Sequence, residues 1–335
     1  MKERTAGASS LSIRFVLAAV FVCGAAVLLA PGVARAASCC GGSSGASLLL
    51  PKFSNAMMDV SVEMETYDGY WNGDGAYIPD PPGSSLRQYR LNLAHAWRVA
   101  DNWQVGAYVP LVLNDNRYEA TQSGSQGVGD AAVSFWYETF DNVLCVAEVR
   151  KLEDLRPAIY LGAALTVPTG VSPFDNVKSS FDVTGRGFYR LDLSAIIEKT
   201  VYPWNVSFQY SYGVHMERAV NREYGEYVEP YHKKLGDRRL WSFSGGYTHF
   251  HDGLDFTALS LAYSDLWQGD GTVDGRSDPV TALNKRGLAG TVAWTDSERK
   301  WTAKFSWSHV LRQEDWGRNF PATEVLSMGL SYVYR

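Results

Sequence analysis

The sequence predicts an all-β fold, a transmembrane up-and-down antiparallel β-barrel of about twelve strands, on three observations. An export signal opens the chain, no later apolar run is long enough to cross a bilayer as a helix, and the remainder alternates apolar with polar residues between turn signals. One constraint joins them. Hydrocarbon cannot satisfy backbone N–H and C=O groups, so a chain that spans it without a helix must close its strands into a ring.

Residues 1–36 are expected to be a signal peptide. Lys2, Arg4 and Arg14 precede an apolar run from Phe15 to Leu29, and Ala34-Arg35-Ala36 supplies small residues at a cleavage point. That run is shorter than the roughly 20 residues of a spanning helix. Residues 37–56 are then a periplasmic N-terminal segment and 57–335 the barrel, with no long linker dividing them. Hydrophobic residues make up 46% and charged residues 20% of the chain, with 11 Trp and 19 Tyr, so the apolar content is dispersed and interfacial in character. A net charge of −5 argues against nucleic acid, which needs a basic face.

Strands are expected near Met57–Tyr67, Arg87–Val99, Trp103–Leu113, Gly129–Phe140, Pro157–Val167, Gly187–Lys199, Asn205–His215, Arg239–His249, Leu254–Leu266, Gly287–Thr295, Trp301–Leu311 and Thr323–Tyr334. Each is about the length that a tilted strand needs to cross a bilayer. Alternation sets their faces: Tyr89, Leu91, Leu93 and Trp97 oppose Arg90, Asn92 and Arg98, while Val206, Phe208, Tyr210 and Tyr212 oppose Ser207, Gln209 and Ser211. Even-numbered strands end in short turns (100–102, 201–204, 250–253, 296–300), and odd-numbered ones in long polar segments (68–86, 114–128, 168–186, 216–238, 267–286, 312–322). Short turns on one side and long loops on the other are the pattern of a membrane barrel. The misfit is 141–156, where Val143–Arg150 looks strand-like and leaves a count of fourteen as the alternative. Aromatics cluster beside both sets of connections, among them Trp97, Trp103, Phe140, Trp204 and Trp301 near short turns and Tyr67, Tyr118, Trp241 and Trp267 near long loops. Amphipathic rings prefer the headgroup layer, so two girdles are expected.

The last strand, Ser327-Met328-Gly329-Leu330-Ser331-Tyr332-Val333-Tyr334, resembles the C-terminal strand of Gram-negative outer-membrane β-barrels. The resemblance makes Ser327, Gly329, Tyr332 and Tyr334 an assembly signal, with Arg335 a departure, and implies the outer membrane, its lipids and lipopolysaccharide, and the barrel assembly machinery as surroundings and partners. Gly127-Val128-Gly129-Asp130 and Pro168-Thr169-Gly170 resemble the transporter barrels named for the MetA pathway of phenol degradation, over roughly 127–215. That resemblance implies an outer-membrane channel or transporter for small hydrophobic or aromatic solutes. The plainer reading of both motifs is turn chemistry at strand ends.

Inside the barrel, parity places Glu63, Glu65, Arg90, Arg98, Arg190, Asp192 and Glu198 in the lumen, with Glu63 and Glu65 across from Arg90 by near-symmetric spacing about the first long loop. The inward positions of the later strands are small: Ser242, Ser244, Ser260, Ser264, Thr291, Ser306, Ser308, Ser327 and Ser331. Twelve strands give a backbone diameter of roughly 24 Å, leaving at most a narrow passage for a small-molecule solute. The alternative is a closed structural or partner-binding barrel, with the charged 216–238 loop as a contact for surface partners or lipopolysaccharide. Cys39 and Cys40 are candidates for a disulfide or lipidation, since adjacent thiols do not make the spaced pairs of metal and haem sites. Asp270, Asp274 and Asp278 lack the spacing of a calcium loop. No cofactor is implied. His95, His215, His249, His251 and His309 stand in no nucleophile motif, so neither a membrane-embedded hydrolase nor any other enzyme is expected.

Overall fold

A computed structural model describes residues 48–119, 121–139 and 145–334. Twelve antiparallel strands close on themselves: β1 (Ala56–Trp71), β2 (Ser85–Ala100), β3 (Trp103–Tyr118), β4 (Ala131–Glu138), β5 (Ala158–Val167), β6 (Arg190–Val201), β7 (Trp204–His215), β8 (Arg238–Phe250), β9 (Phe256–Gln268), β10 (Leu283–Thr295), β11 (Trp301–Val310) and β12 (Phe320–Tyr334). Each pairs with its neighbours in sequence, and β12 returns to β1 with Ala56 opposite Tyr334, Ser61 opposite Gly329 and Glu63 opposite Ser327. The closed ring leaves no edge to aggregate or to face lipid unpaired.

Several strands run further than alternation alone marks. β1 reaches Trp71, β3 reaches Tyr118 and β12 begins at Phe320, because ladder pairing continues beyond the alternating stretch into the extracellular side. Residues Thr121–Val128 pair with the outer half of β3, and β4 continues the ladder after a break at Gly129-Asp130. The fourteen-strand alternative is corrected. Among the described residues Cys145–Val146 adds two, parallel to Thr200–Val201 at the periplasmic end of β6, and a short 3-10 turn follows at Leu152–Leu155. The 216–238 loop is a hairpin, Arg218–Glu223 with Glu226–Lys234, which pairs onward with the small hairpin Gly271–Val273/Arg276–Asp278.

Burial runs opposite to that of a soluble protein. Outward residues such as Phe135, Leu193, Phe243, Leu261 and Met328 are exposed at 52–63%, while inward Asp59, Asn92, Gln104, Ser134 and Ser331 are buried. A continuous exposed apolar band of this extent fits lipid, not water. Where strands meet the short turns, rings pair: Trp103 with Tyr137, Trp204 with Tyr247 and Trp301 with Tyr332, centroids 4.6–5.1 Å apart. His95 points outward, its ring 4.1 Å from that of Trp97. Phe140 of the expected girdle lies outside the described residues, as do the signal-peptide stretch, Cys39 and Cys40.

Candidate functional site

The lumen is the functional space, and its periplasmic end is narrowed from one side by the chain itself. Of the expected periplasmic segment, the described part from Leu48 to Asn55 lies within the barrel. Leu48 and Leu50 pack with inward-facing Met57, Ala94, Ala96 and Val333, from β1, β2 and β12. Leu49 packs on Trp136, Ala158, Tyr160 and Ile196, from β4, β5 and β6. Three consecutive leucines bury their side chains in two directions and hold the segment against that side of the wall. Polar contacts secure it. The Leu50 N–H donates to Gln104 Oε1 at 2.7 Å, and Arg98 donates to the Ser54 carbonyl at 3.0 Å and to that of Asp101 at 2.7 Å. Lys52 stands 3.9 Å from Glu138. Arg98, a lumen candidate, thus faces inward but is occupied by the segment. Nearby, Asp59 accepts from Lys304 at 2.7 Å and from the Ser331 hydroxyl at 2.5 Å, with the ion pair's side chains under 10% exposed.

Midway up, Arg90 gathers both carboxylates of β1. Its Nε donates to Glu63 at 3.0 Å and its Nη2 to Glu65 at 2.6 Å, while Nη1 donates to the Gln88 amide oxygen at 2.7 Å. The pairing follows from register, with Glu63 directly opposite Arg90. Arg190 and Asp192, two apart on β6 and therefore on one face, form a second pair at 2.8 Å. Glu198 lies lower on the same strand, its carboxylate 3.4 Å from the Asn205 amide nitrogen.

Alternation at strand level missed a further set of cations. Arg238 and Lys285 face inward at the extracellular ends of β8 and β10, opposite Gln268 and Leu266 in register. Arg186 comes from the 168–189 loop and remains exposed to solvent. Arg186 donates to the neutral Gln268 amide oxygen at 3.0 Å, Lys285 to the Thr323 hydroxyl at 3.3 Å, and Arg238 keeps a buried Nε with no partner.

The loop that delivers Arg186 bridges the mouth. Asn114 and Asn116 of β3 donate to the Val183 and Phe181 carbonyls at 3.0 and 2.8 Å, and the far side ends at Gln268 of β9. The two short motifs anchor it by meeting in space. Thr169 donates to the Gly129 carbonyl at 2.6 Å, and Asp130 accepts from the N–H groups of Gly170 and Arg186 at 3.1 and 2.7 Å. The glycines are required for closeness: a Cβ on Gly170 would stand 2.7 Å from the Gly185 Cα. Asp175 closes the loop onto Ser172. Partial burial opposes its ionisation, but the Ser172 hydroxyl and N–H, at 2.6 and 2.7 Å, and Arg218 outweigh burial and hold the carboxyl below its ordinary range.

Between this loop and the β1–β3 wall lies a cavity of about 410 Å³. Tyr67, Leu86, Tyr118, Phe181 and Val183 give it an apolar, aromatic lining, with Gln88, Asn114 and Asn116 as hydrogen-bonding groups and Asp80 as its one carboxylate. Tyr118 and Phe181 stack at 5.6 Å. On the opposite side of the lumen the small hydroxyl wall is uncovered: Ser242, Ser264, Ser260, Thr291, Ser306 and Ser327 follow one another across β8–β12 by register, and inward-facing Ser260 is exposed. Among the described residues no cluster of His, Cys, Asp and Glu could hold a metal ion. Asp270, Asp274 and Asp278 bond Ser277, His232 and Lys233 in the extracellular hairpins. His215 is buried at the lumen wall with Nδ1 2.9 Å from the Gly236 carbonyl, and among the described residues its Nε2 has no hydrogen-bond partner.

A closed ring with lipid-compatible side chains outside and polar ones inside defines an outer-membrane β-barrel. No family model matches the chain, so the likeness of 127–215 to the phenol-pathway transporter barrels is one of motifs. No curated protein matches either. Among solved structures it is similar to the COG4313 outer membrane channel from Pseudomonas putida F1, with 16% identity over 85% of this chain and 97% of that one and a TM-score of 0.64. It also matches the beta domain of the Bordetella autotransporter Brka, with 9% identity over 84% and 100% of the two chains at a TM-score of 0.47. A third match is the KdgM porin, with 11% identity over 83% and 99% at 0.41. At these identities the first likeness is one of fold.

Proposed function

We propose that the protein is an outer-membrane channel for passive passage of small solutes, apolar or aromatic ones among them. The uncovered hydroxyl wall carries this reading. The N-terminal segment packs on the residues of β12, β1, β2 and β4–β6, whereas the serines of β8–β11 keep contact with solvent inside the ring. Wall-filling charges alone would not leave that side bare. The mouth cavity supports the apolar component: a flat apolar molecule finds rings to lie against and amides to orient any polar substituent. Planar-bilayer recording of the purified, heat-modifiable barrel tests the proposal. Resolved conductance steps are expected, and silence from a folded barrel would refute it.

One observation favours a second reading, a closed structural or partner-binding barrel. The segment 48–55 and the loop 168–189 obstruct opposite ends of the lumen. The same recordings separate the readings, because a closed barrel shows no steps under any applied voltage.

A further inference from the structure

We propose that the extracellular half of the lumen is a binding site for small amphipathic anions, with aromatic carboxylates as the type ligand; this rests on the channel reading and names its solute class. The charge distribution leads there. Arg190, Arg238 and Lys285 stand at the extracellular ends of β6, β8 and β10, paired in register with His215, Gln268 and Leu266, and Arg186 reaches Gln268 from the loop before β6. Arg238 is within electrostatic reach of Arg190, Arg186 and Asp192, and Lys285 of Glu65, Arg90, Arg238 and Arg186. Asp192 is committed to Arg190, Glu63 and Glu65 to Arg90, and Asp130, within electrostatic reach of Arg186, accepts from the N–H groups of Gly170 and Arg186. No carboxylate among the described residues comes within ion-pair distance of Arg186, Arg238 or Lys285. Their contacts are neutral, to Gln268 and Thr323, and the buried Arg238 Nε has none. The Nε2 of His215 is likewise buried without a partner.

Like charges so placed repel one another, and the arrangement costs stability unless something negative enters. Guanidinium groups suit a carboxylate because their parallel N–H bonds match its two oxygens.

The ligand's body is indicated by what adjoins the cations. Lys285 Nζ lies 4.7 Å from the centre of the Phe320 ring, and Pro321, the next residue, lines the mouth cavity. Thr323, which accepts from Lys285, is paired in register with Tyr67 of the cavity lining. A carboxylate at Lys285 and Arg238 therefore places an attached ring among Tyr67, Leu86, Phe181 and Val183. A neutral analogue loses the charge contact, and a cationic analogue meets repulsion.

The test is calorimetric titration of the folded full barrel in detergent with sodium benzoate, benzyl alcohol and benzylamine, alongside bilayer recording. Benzoate is expected to bind at least tenfold more tightly than the other two. Arg238→Gln with Lys285→Gln is expected to abolish that preference while leaving benzyl alcohol binding unchanged, and Lys285→Gln alone gives an intermediate loss. Retained heat-modifiable migration certifies each variant as folded. Equal binding of the three compounds, or undiminished benzoate binding by the folded double variant, would overturn the site. Binding without conductance leaves the site standing and removes the channel, whereas conductance without anion preference does the reverse.

Discussion

Replacing Arg90 by alanine separates a selectivity role from simple space filling. In the native lumen one guanidinium faces two carboxylates, at 3.0 and 2.6 Å, so the group carries a net charge of −1. The substitution leaves −2. A unit charge roughly 6 Å from a permeating ion in water is worth about 0.7 kcal/mol. It favours a cation and disfavours an anion equally, so preference moves by about 1.4 kcal/mol, roughly tenfold. Reversal potentials in a potassium chloride gradient measure it, at total ionic strength near 0.1 M, where screening extends over about 10 Å. The Glu63→Gln, Glu65→Gln double variant should move the potential the opposite way. The glutamate side chains are 19% and 9% exposed, and stranding them should cost about 3 kcal/mol, the low end for a broken buried pair, because lumen water reaches them. An unchanged reversal potential in an open, folded Arg90→Ala barrel would refute the selectivity argument and leave the group a structural one.

Deleting residues 37–53 should raise single-channel conductance without abolishing heat-modifiable migration; unchanged conductance would show that the segment obstructs nothing. Asp59→Asn strands Lys304, 9% exposed at its side chain, and should cost about 3–5 kcal/mol in detergent–urea unfolding. In Gly162→Ala the new methyl would lie 2.4 Å from the Trp136 ring, so overpacking should cost about 1–3 kcal/mol by the same measurement. Acid should loosen the mouth loop. The folded Asp175 carboxyl is depressed, so its contribution is fully present above the unfolded value of about 3.9 and is lost as pH falls further, through the folded value. Proteolysis of the 168–189 loop should therefore accelerate below that range, and a rate independent of pH, with an acid-stable protease, would count against the Asp175 latch.

The barrel was legible because its signals are local. Period-2 alternation, turn residues and the contrast of short with long connections all lie within a few residues of one another. Glu63 opposite Arg90 could be read from spacing, since a hairpin pairs residues whose numbers sum to a constant and the same sum joins Tyr67 to Leu86. The cations of the upper lumen escaped for the converse reason. Arg238 and Lys285 sit on ladder positions beyond the clean alternation, just outside the strand limits 239–249 and 287–295, and Arg186 is carried in by a loop. No local pattern reveals that Pro168-Thr169-Gly170 binds Gly129 and Asp130, because those hydrogen bonds join residues 40 apart. The leucines at 48–50 read as any short apolar run until the wall around them is closed.

Those leucines also bear on how the ring holds together. β1 and β12 are the first and last strands, so theirs is the one seam that joins strands distant in sequence and turns eleven sequential contacts into a ring. Leu48 and Leu50 rest on Met57 of β1 and Val333 of β12 at once, and the Asn55 N–H donates across the same seam to the Tyr334 carbonyl at 3.0 Å. An open sheet parts Val333 of β12 from Met57, Ala94 and Ala96 of β1 and β2. The segment is therefore a clasp on the inside of the join: its burial energy is released on closure and must be returned before the barrel can reopen.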